Sequence, residues 1–438
     1  SQLKAFRALD EILTEGKDWE ALQKNYRKML VRVQDDPEQV GLQYKLCFNL
    51  GEIYRTRLKE NKKAIAAFEA ALDVQEDDVK SLEILSQLYQ TEDKADQAID
   101  CFRGLLREQP GELKHYRALK HLFLETRNKD AAWMACGVLV LLGQADEAES
   151  NYYEENMVPD MVSQKPTLDG DLWLDHLLSR NENVLLGRIF QSFYQGLGDK
   201  LARKTAKEVG LRKKDELDLS QRELFTHAFK TAGEVLNTQS LPAVYQSIKA
   251  PGVHIEELVP PVLLIGDELR QGRTEQELAF VLGKVLTYMH PMHLVSCVAS
   301  PDSLQTLFTA AAMLYIPGYS ETNRKVSEAV LAVRTALDDL PNQTQGHMET
   351  MMQEYVATYQ SINVHRWLNQ IELSANHAGL FLCNDVVLAG RMLRSESHQT
   401  LFTAPSRLTT RDKLVDLAVY ALSEEYLSLR RLAGIAID

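Results

Sequence analysis

Two histidines and a distant carboxylate form one group of side chains in this chain that could bind a metal. His290 and His293 lie three residues apart, and Glu372 lies in a later apolar segment. Imidazole and carboxylate groups are common zinc ligands, so these three residues form one candidate zinc site. Pro291 lies between the histidines and favours the end of a helix, so the two imidazoles need not face one metal. Histidines at a helix end are more often capping or surface groups, and we expect no bound metal or other cofactor.

The segment Glu277–His290 has the apolar pattern of a buried helix but lacks catalytic side chains. In the active-site helix of a zinc peptidase, two histidines four residues apart hold the metal, and a glutamate after the first histidine is the general base. In register with the apolar residues, those three positions are held by Lys284, Val285 and Tyr288. A protonated lysine repels a metal cation, valine cannot carry a proton, and a neutral tyrosine is a poor ligand. The pattern therefore predicts a helix without catalytic activity.

A second segment, Ile371–Leu380, lies later in the chain, as the second helix does in one family of zinc peptidases. In gluzincin metallopeptidases a later helix carries a ligand glutamate, followed four residues on by an aspartate. Glu372 matches that glutamate, Ala375 matches a small residue near it, and Asn376 replaces the aspartate. Residues 240–435 therefore resemble a degenerate gluzincin-type zinc metallopeptidase. The resemblance implies an α+β zincin-like, mostly helical domain that is a pseudoenzyme. The alternative is that both segments are core helices of an unrelated bundle.

The resemblance also implies a new pairing at the former metal position. Ancestral ligands on the two helices met at one metal, so Lys284, Tyr288 and Glu372 are expected to converge. Lys284 would pair with the Glu372 carboxylate, and Tyr288 would donate its hydroxyl to the same group, with the side-chain ends within roughly 6 Å. No glycine-rich phosphate loop, GxSxG elbow or dinucleotide-binding fingerprint accompanies these residues.

The first third of the chain contains a helical repeat. One unit is free of gaps, a preceding unit needs a slight length adjustment between its helices, and a third unit follows. The repeat positions are Leu85, Tyr89, Ala98, Phe102, Leu105 and Pro110 in the gap-free unit, Leu50, Gly51, Tyr54, Ala64, Phe68 and Ala71 before it, and Tyr116, Leu119, Phe123, Ala132 and Leu139 after it. These offsets resemble the tetratricopeptide (TPR) pattern, in which small and aromatic residues let antiparallel helices pack closely. The resemblance implies an α-solenoid whose curved surface binds other proteins.

Composition restricts the partners and the compartment. The net charge of −13 does not favour binding to nucleic acid or to an anionic membrane. No apolar run reaches the roughly 18 residues that a membrane span requires, so we expect no membrane insertion. The five cysteines are scattered and form no CxxC pair, which is typical of reduced thiols in the cytoplasm.

The residues that precede the degenerate helix have a strand-like pattern. Alternation in 243–248 and 253–258, with a Pro251-Gly252 turn between them, predicts a β-hairpin. At the other end of this region, the apolar stripe of Thr410–Ile437 predicts one amphipathic helix.

We therefore predict a mainly α protein of three regions: a TPR-like α-solenoid at 1–156, a helical connector at 157–239 and a zincin-like pseudo-peptidase domain at 240–438. The combination resembles large bacterial TPR proteins. The predicted function is a non-catalytic scaffold or adaptor that binds other proteins within a larger assembly. The alternatives are an atypical metallopeptidase with its metal at His290, His293 and Glu372, and a peptide-binding receptor that uses the former substrate cleft. The sequence predicts neither the identity of the partner nor the oligomeric state.

Overall fold

The protein is mainly helical, and its chain forms two compact units, residues 1–139 and residues 140–437. The structure is a computed structural model. It describes residues 2–158, 160–163, 168, 170–201, 205, 207–238, 240–247, 252–319, 330, 333–335, 342–359, 361–396 and 406–437.

Residues 2–141 fold into consecutive helices joined by short connections. The helices are α1 (Gln2–Glu15), α2 (Trp19–Val33), α3 (Val40–Glu52), α4 (Asn61–Val74), α5 (Val79–Thr91), α6 (Ala95–Glu108), α7 (Leu113–Glu125) and α8 (Lys129–Leu141). From α1 to α7, each helix packs against the next one along the chain. Every residue from 61 to 142 is described and none of them forms a strand, in agreement with the predicted helical repeat.

The repeat positions predicted from the sequence are buried in the first unit, except for the partly exposed Pro110. Ala64 on α4 and Ala98 on α6 are fully buried, and these small side chains allow neighbouring helices to approach closely. Tyr89 on α5 and Phe102 on α6 are buried as well. The gap-free unit therefore forms the pair of packed helices, α5 and α6, that its spacing predicts.

A π-helical turn, Ile53–Leu58, continues α3. Tyr54 and Ala64 are ten residues apart, whereas the corresponding Tyr89 and Ala98 of the next unit are nine apart. A π turn closes its hydrogen bond over one more residue than an α turn, so it takes up the extra residue. This turn is the length adjustment that the sequence indicated for the unit.

The second unit consists of helices and one small sheet. Its helices are α9 (Glu147–Glu155), α10 (Gly170–His176), α11 (Val184–Leu201), α12 (Leu224–Val235), α13 (Asp267–Arg270), α14 (Glu275–Tyr288), α15 (Val295–Val298), α16 (Pro301–Tyr315), α17 (Asn342–Tyr359), α18 (Val364–Cys383), α19 (Val386–Ser395), α20 (Thr410–Ala421) and α21 (Glu424–Leu432). Residues 140–156, which we assigned to the repeats, and the described part of the predicted connector lie in this unit. Specific bonds hold them there. The Tyr153 hydroxyl donates to Asp385 Oδ1 at 2.6 Å, and the Ser179 amide donates to Ser374 Oγ at 2.8 Å.

The sheet differs from the predicted hairpin. Its strands are β1 (Val244–Gln246), β2 (Val253–Glu256) and β3 (Val262–Ile265), in the order β1-β3-β2. β3 lies between the other two, parallel to β1 and antiparallel to β2, so the predicted pairing of β1 with β2 is wrong. The apolar residues of β3 explain the difference, because a central strand is covered on both sides while its neighbours form the edges. Pro251 of the predicted turn lies outside the described residues.

α14 and α18 form the centre of the second unit. A capping box starts α14, in which Thr274 Oγ1 accepts the Glu277 amide and the Glu277 carboxylate accepts the Thr274 amide. The two helices pack closely together, and α12 and α19 also pack against α14. Every residue from Ile371 to Cys383 on α18 is buried. Polar side chains on the facing surfaces of these helices must therefore find partners inside the protein.

The predicted C-terminal helix is two helices. α20 ends at Ala421, and α21 begins after Ser423, whose hydroxyl accepts the amide of Tyr426 at 3.2 Å. This serine offers a helix start of its own, which breaks the continuous helix that the apolar stripe predicted.

Candidate functional site

Lys284, Tyr288 and Glu372 are in direct contact in the core of the second unit. Lys284 Nζ lies 3.0 Å from Glu372 Oε1, and the Tyr288 hydroxyl donates a hydrogen bond to Glu372 Oε2. Lys284 and Tyr288 are four residues apart on α14, so one helical turn presents both of them to α18. The structure thus brings together the three side chains for which the sequence predicted convergence.

Two further charged side chains join them. Lys413 on α20 lies 2.5 Å from Glu372 Oε1 and 3.0 Å from Glu396 Oε2, measured from its Nζ. Glu396, which follows α19 directly, also accepts a hydrogen bond from Lys284. We refer to Lys284, Tyr288, Glu372, Glu396 and Lys413 as the charge cluster.

Sequence reasoning missed Lys413 and Glu396. Neither residue belongs to a spacing pattern, because each is brought to the cluster by the packing of a separate helix. The one local signal is that Lys413 stands next to the apolar stripe of the last helical segment, where a cation needs a partner if it is buried.

Burial and charge determine the protonation states in the charge cluster. The side chains of Lys284 and Glu372 are only 4% and 6% exposed. Burial alone would raise the pKa of Glu372, but the ammonium groups of Lys284 and Lys413 outweigh it and lower that pKa to about 2. Burial raises the pKa of Tyr288 well above its usual value, and the Glu372 carboxylate raises it further. At neutral pH Glu372 is therefore ionised and Tyr288 keeps its proton.

The charge cluster balances two ammonium groups against two carboxylates. Glu372 Oε1 accepts hydrogen bonds from both lysines, and Oε2 accepts from Tyr288. Val285, the residue after Lys284 on α14, has a buried hydrocarbon side chain. In this arrangement the Glu372 carboxylate binds ammonium groups of the protein's own lysines. The cluster links α14, α18, α20 and the end of α19.

Asn376 lies one turn after Glu372 on α18 and is fully buried. Within the described part of the chain, neither its amide nitrogen nor its amide oxygen has a hydrogen-bond partner. A buried amide without partners costs about 1–3 kcal/mol relative to a satisfied one. An uncharged side chain at this position adds no negative charge beside the charge cluster.

His290 and His293 have partners of different kinds. The His293 ring lies with Nε2 2.5 Å from Glu182 Oε1 and with Nδ1 2.9 Å from the Thr287 carbonyl oxygen. His290 stacks on Trp173, with ring centroids 4.7 Å apart. Burial and, to a smaller extent, the nearby His293 together lower the pKa of His290 to about 3, so its imidazole is neutral at physiological pH.

Glu182 connects His293 to α18. Its second oxygen accepts a hydrogen bond from the Ser374 hydroxyl, and its side chain is almost completely buried. Burial would lower the pKa of His293, but the charge of Glu182 outweighs it and raises that pKa. Sequence reasoning missed this pair, since Glu182 lies more than a hundred residues before His293 in a segment without a recognisable motif.

The candidate zinc set of His290, His293 and Glu372 is not assembled. Glu372 binds lysines and a tyrosine, whereas His293 binds Glu182. Among the described residues, no group of three or more histidine, cysteine, aspartate or glutamate side chains is arranged to hold a metal.

The comparisons with known proteins concern the first unit. Residues 44–78 match the family model of the tetratricopeptide repeat, and the match covers α3 from residue 44 on, the π turn and α4. No curated protein matches the chain. Over the residues that the structure describes, no helix combines the length and the apolar composition needed to cross a bilayer.

Proposed function

We propose that this chain is a non-catalytic protein-interaction scaffold or adaptor. In this proposal the first unit is a TPR solenoid that binds other proteins, and the second unit is a zincin-like pseudo-peptidase domain. The observation that supports the pseudo-peptidase part is the buried contact of Lys284 with Glu372. The sequence resemblance assigns these two residues to the positions of a metal-binding histidine and a ligand glutamate.

Protein binding is supported by the repeat. Residues 44–78 match the TPR family, and TPR repeats are typical protein-binding modules. The order of helix contacts in α1–α7, in which each helix packs on the next, is the order that stacked repeats require.

The loss of catalysis is supported by electrostatics. Lys284 and Lys413 bring two positive charges to Glu372, and these charges oppose a zinc ion that uses the same carboxylate. Val285 offers no group that could take a proton from water. A lysine that replaces the metal cation also balances the carboxylate, so the fold keeps its core without the metal.

Ligand restoration tests the second part of the proposal. The triple variant Lys284→His, Tyr288→His, Lys413→Met should gain about one zinc per chain by elemental analysis, while the parent protein holds much less than one. Lys413→Met is needed because the second ammonium would otherwise stay on Glu372. The triple variant should not cleave peptides until Val285→Glu supplies a base.

His290→Ala is the matched control. Adding it to the triple variant should leave the zinc content unchanged. If the parent protein instead carries one zinc per chain that His290→Ala or Glu372→Ala removes, the chain is an atypical metalloprotein and the proposal is wrong.

Affinity capture tests the scaffold part. Partners recovered with the full chain from its native source should be lost with Ala98→Trp, which overpacks a buried contact of the first unit, and kept with Gln97→Trp, an exposed neighbour on the same helix. Partners that Ala98→Trp leaves unchanged would contradict binding through the repeats.

A further inference from the structure

The first helix of the repeat array has two apolar faces, and one of them packs against its neighbour. On that face of α1, Phe6 is buried with its ring centroid 5.1 Å from that of Tyr26 on α2. Leu3 and Leu13 lie on the same side of the helix and are partly buried. A surface helix typically carries a single apolar stripe, so the second face of α1 requires an explanation.

The second face consists of Ala5, Ala8, Leu9 and Ile12, which we call the outer stripe. Successive residues of a helix are turned by about 100°, so these four lie together, about 120° around the helix from the face that packs on α2. All four are exposed, and the side chains of Leu9 and Ile12 are 47% and 63% exposed. Exposed apolar residues that cluster in this way mark interaction surfaces.

The position of α1 in the array indicates what kind of element the outer stripe fits. Helices of a repeat array contact their neighbours along the chain, and the end of a soluble array normally presents a polar outer face. α1 packs against α2, and its outer stripe is apolar. The stripe therefore has the character of a surface on which a further helix packs.

The charges beside the outer stripe identify the orientation of that helix. Lys4 and Arg7 lie along one edge in the first half of α1, and Glu11 and Glu15 lie along the same edge in the second half. A parallel second α1 would place like charges side by side. An antiparallel one, related by a two-fold axis, places Lys4 of one copy between Glu11 and Glu15 of the other, about 3 Å from each along the helix axis.

The apolar residues favour the same register. With the two-fold axis midway between Ala8 and Leu9, Ala5 of one copy lies opposite Ile12 of the other, and Ala8 lies opposite Leu9. Each large side chain then meets an alanine, which allows the two helices to approach closely. The charges and the side-chain sizes thus agree on one arrangement.

We propose that the outer stripe binds the outer stripe of a second copy of this chain, with the two α1 helices antiparallel. One helix from each copy buries less surface than a stable interface of about 1,200 Å² or more, so the dimer is weak, with a Kd on the order of 10 µM. This self-association is independent of the proposed scaffold function, because it requires neither a different protein nor the second unit.

Sedimentation equilibrium of the full chain tests the proposal at concentrations from about 1 to 300 µM. The measurement uses about 0.15 M salt, which screens the repulsion between two chains of net charge −13. Ile12→Glu places a charge against the apolar side of the second copy and should raise the Kd at least tenfold. Val31→Glu is the matched control, since Val31 on α2 is 67% exposed and lies outside the outer stripe, and it should leave the Kd unchanged.

Charge reversal tests the pairing across the interface. Lys4→Glu, Arg7→Glu makes the edge of the stripe entirely acidic, and Glu11→Lys, Glu15→Lys makes it entirely basic. Each double variant alone should dimerise at least fivefold more weakly than the parent chain, because like charges then meet. An equimolar mixture of the two should form a heterodimer at least as tight as the parent dimer.

Cysteine variants measure the orientation. The five cysteines of the parent chain are buried. On mild oxidation, a mixture of Ala5→Cys and Ile12→Cys should form a disulfide-linked dimer. Ala5→Cys alone should not, because its two cysteines lie about 10 Å apart along the axis of an antiparallel pair.

Four results would overturn the proposal. They are a monomer at every concentration, a dimer that Ile12→Glu does not weaken, double variants that dimerise as tightly as the parent chain, and a disulfide in Ala5→Cys alone or none in the mixture. A monomer would leave the outer stripe to a helix of a different protein.

Discussion

Gly283 lies against Gly379 so closely that a Cβ on Gly283 would be 2.8 Å from the Gly379 backbone nitrogen and 2.7 Å from the Ala378 carbonyl oxygen. Only the absence of side chains at both positions allows α14 and α18 to approach this far. Glu372 and Gly379 are seven residues apart, which is about two helical turns, so they share one face of α18. The close approach of the glycines therefore also brings Lys284, the next residue on α14, within reach of Glu372.

Gly283→Ala should destabilise the second unit, because a methyl group there meets backbone atoms that cannot move aside. We expect a loss of about 1–3 kcal/mol in the free energy of unfolding, measured by urea denaturation. Gly346→Ala is the control, since Gly346 lies in α17 with no atom within 4 Å of a Cβ. In an exposed helix this change should stabilise by up to about 1 kcal/mol. Equal effects of the two substitutions would contradict the close contact.

Glu372→Ala should cost roughly 3–5 kcal/mol in the free energy of unfolding, because it leaves two buried ammonium groups with one remaining carboxylate. In the double variant Lys284→Met, Glu372→Ala the loss should be smaller than the sum of the single losses. Glu354→Ala, which removes an exposed glutamate of α17, should change stability by less than about 0.5 kcal/mol. Additive single losses would mean that Lys284 and Glu372 do not interact.

The pKa of Glu372 predicts a dependence of stability on acid. The folded pKa of about 2 lies below the usual value near 4.5, so the ionised form is favoured by folding. This contribution is fully present above about pH 4.5 and is lost as the pH falls towards 2; by linkage it amounts to about 3 kcal/mol. The difference in unfolding free energy between the parent protein and Glu372→Gln should shrink over this range. A difference that stays constant from pH 5 to pH 2 would contradict the lowered pKa.

The pair of His293 and Glu182 predicts a dependence of stability on pH with the opposite sign. Folding raises the pKa of His293, so its contribution is present below the unfolded pKa of about 6.5 and is lost as the pH rises through the folded value. The Ser374 hydroxyl, the Thr287 carbonyl and the neutral His290 ring also face this pair and carry no charge. Proton titration of His293 by NMR should give a pKa above 6.5, and Glu182→Gln should bring it below that value. An unchanged titration in Glu182→Gln would exclude the ion pair.

Ala98→Trp should destabilise the first unit by about 1–3 kcal/mol, because Ala98 is fully buried where α6 packs on its neighbours. Gln97→Trp, on the exposed side of the same helix, should be near neutral. Circular dichroism during urea denaturation measures both effects. A well-tolerated Ala98→Trp would mean that the helices of this unit do not pack as the repeat spacing requires.

The helical repeat could be predicted from the sequence, and the pairing of the strands could not. The repeat positions Tyr89, Ala98 and Phe102 are fixed by spacing within one unit, and their burial followed from it. The pairing of β1 with β3 was missed because alternation identifies a strand but not its neighbour.

The charge cluster, too, could be predicted only in part from the sequence. Lys284, Tyr288 and Glu372 could be paired beforehand because two recognisable helices carry them. Lys413 and Glu396 could not, since their place depends on how α19 and α20 pack against α18. Lys413 affects the design of the metal-binding variant. A variant without Lys413→Met would keep an ammonium group at Glu372.

The π turn at Ile53–Leu58 has a consequence for how the repeat array can change in length. One residue added to an ordinary α-helix turns everything after it by about 100° and would move Ala64 and Phe68 away from the interior. Here the wider turn absorbs that rotation at the site of insertion, and both residues remain fully buried. The following unit keeps its regular spacing from Leu85 to Pro110. The added residue is thus confined to one turn, and the next pair of helices, α5 and α6, keeps its spacing.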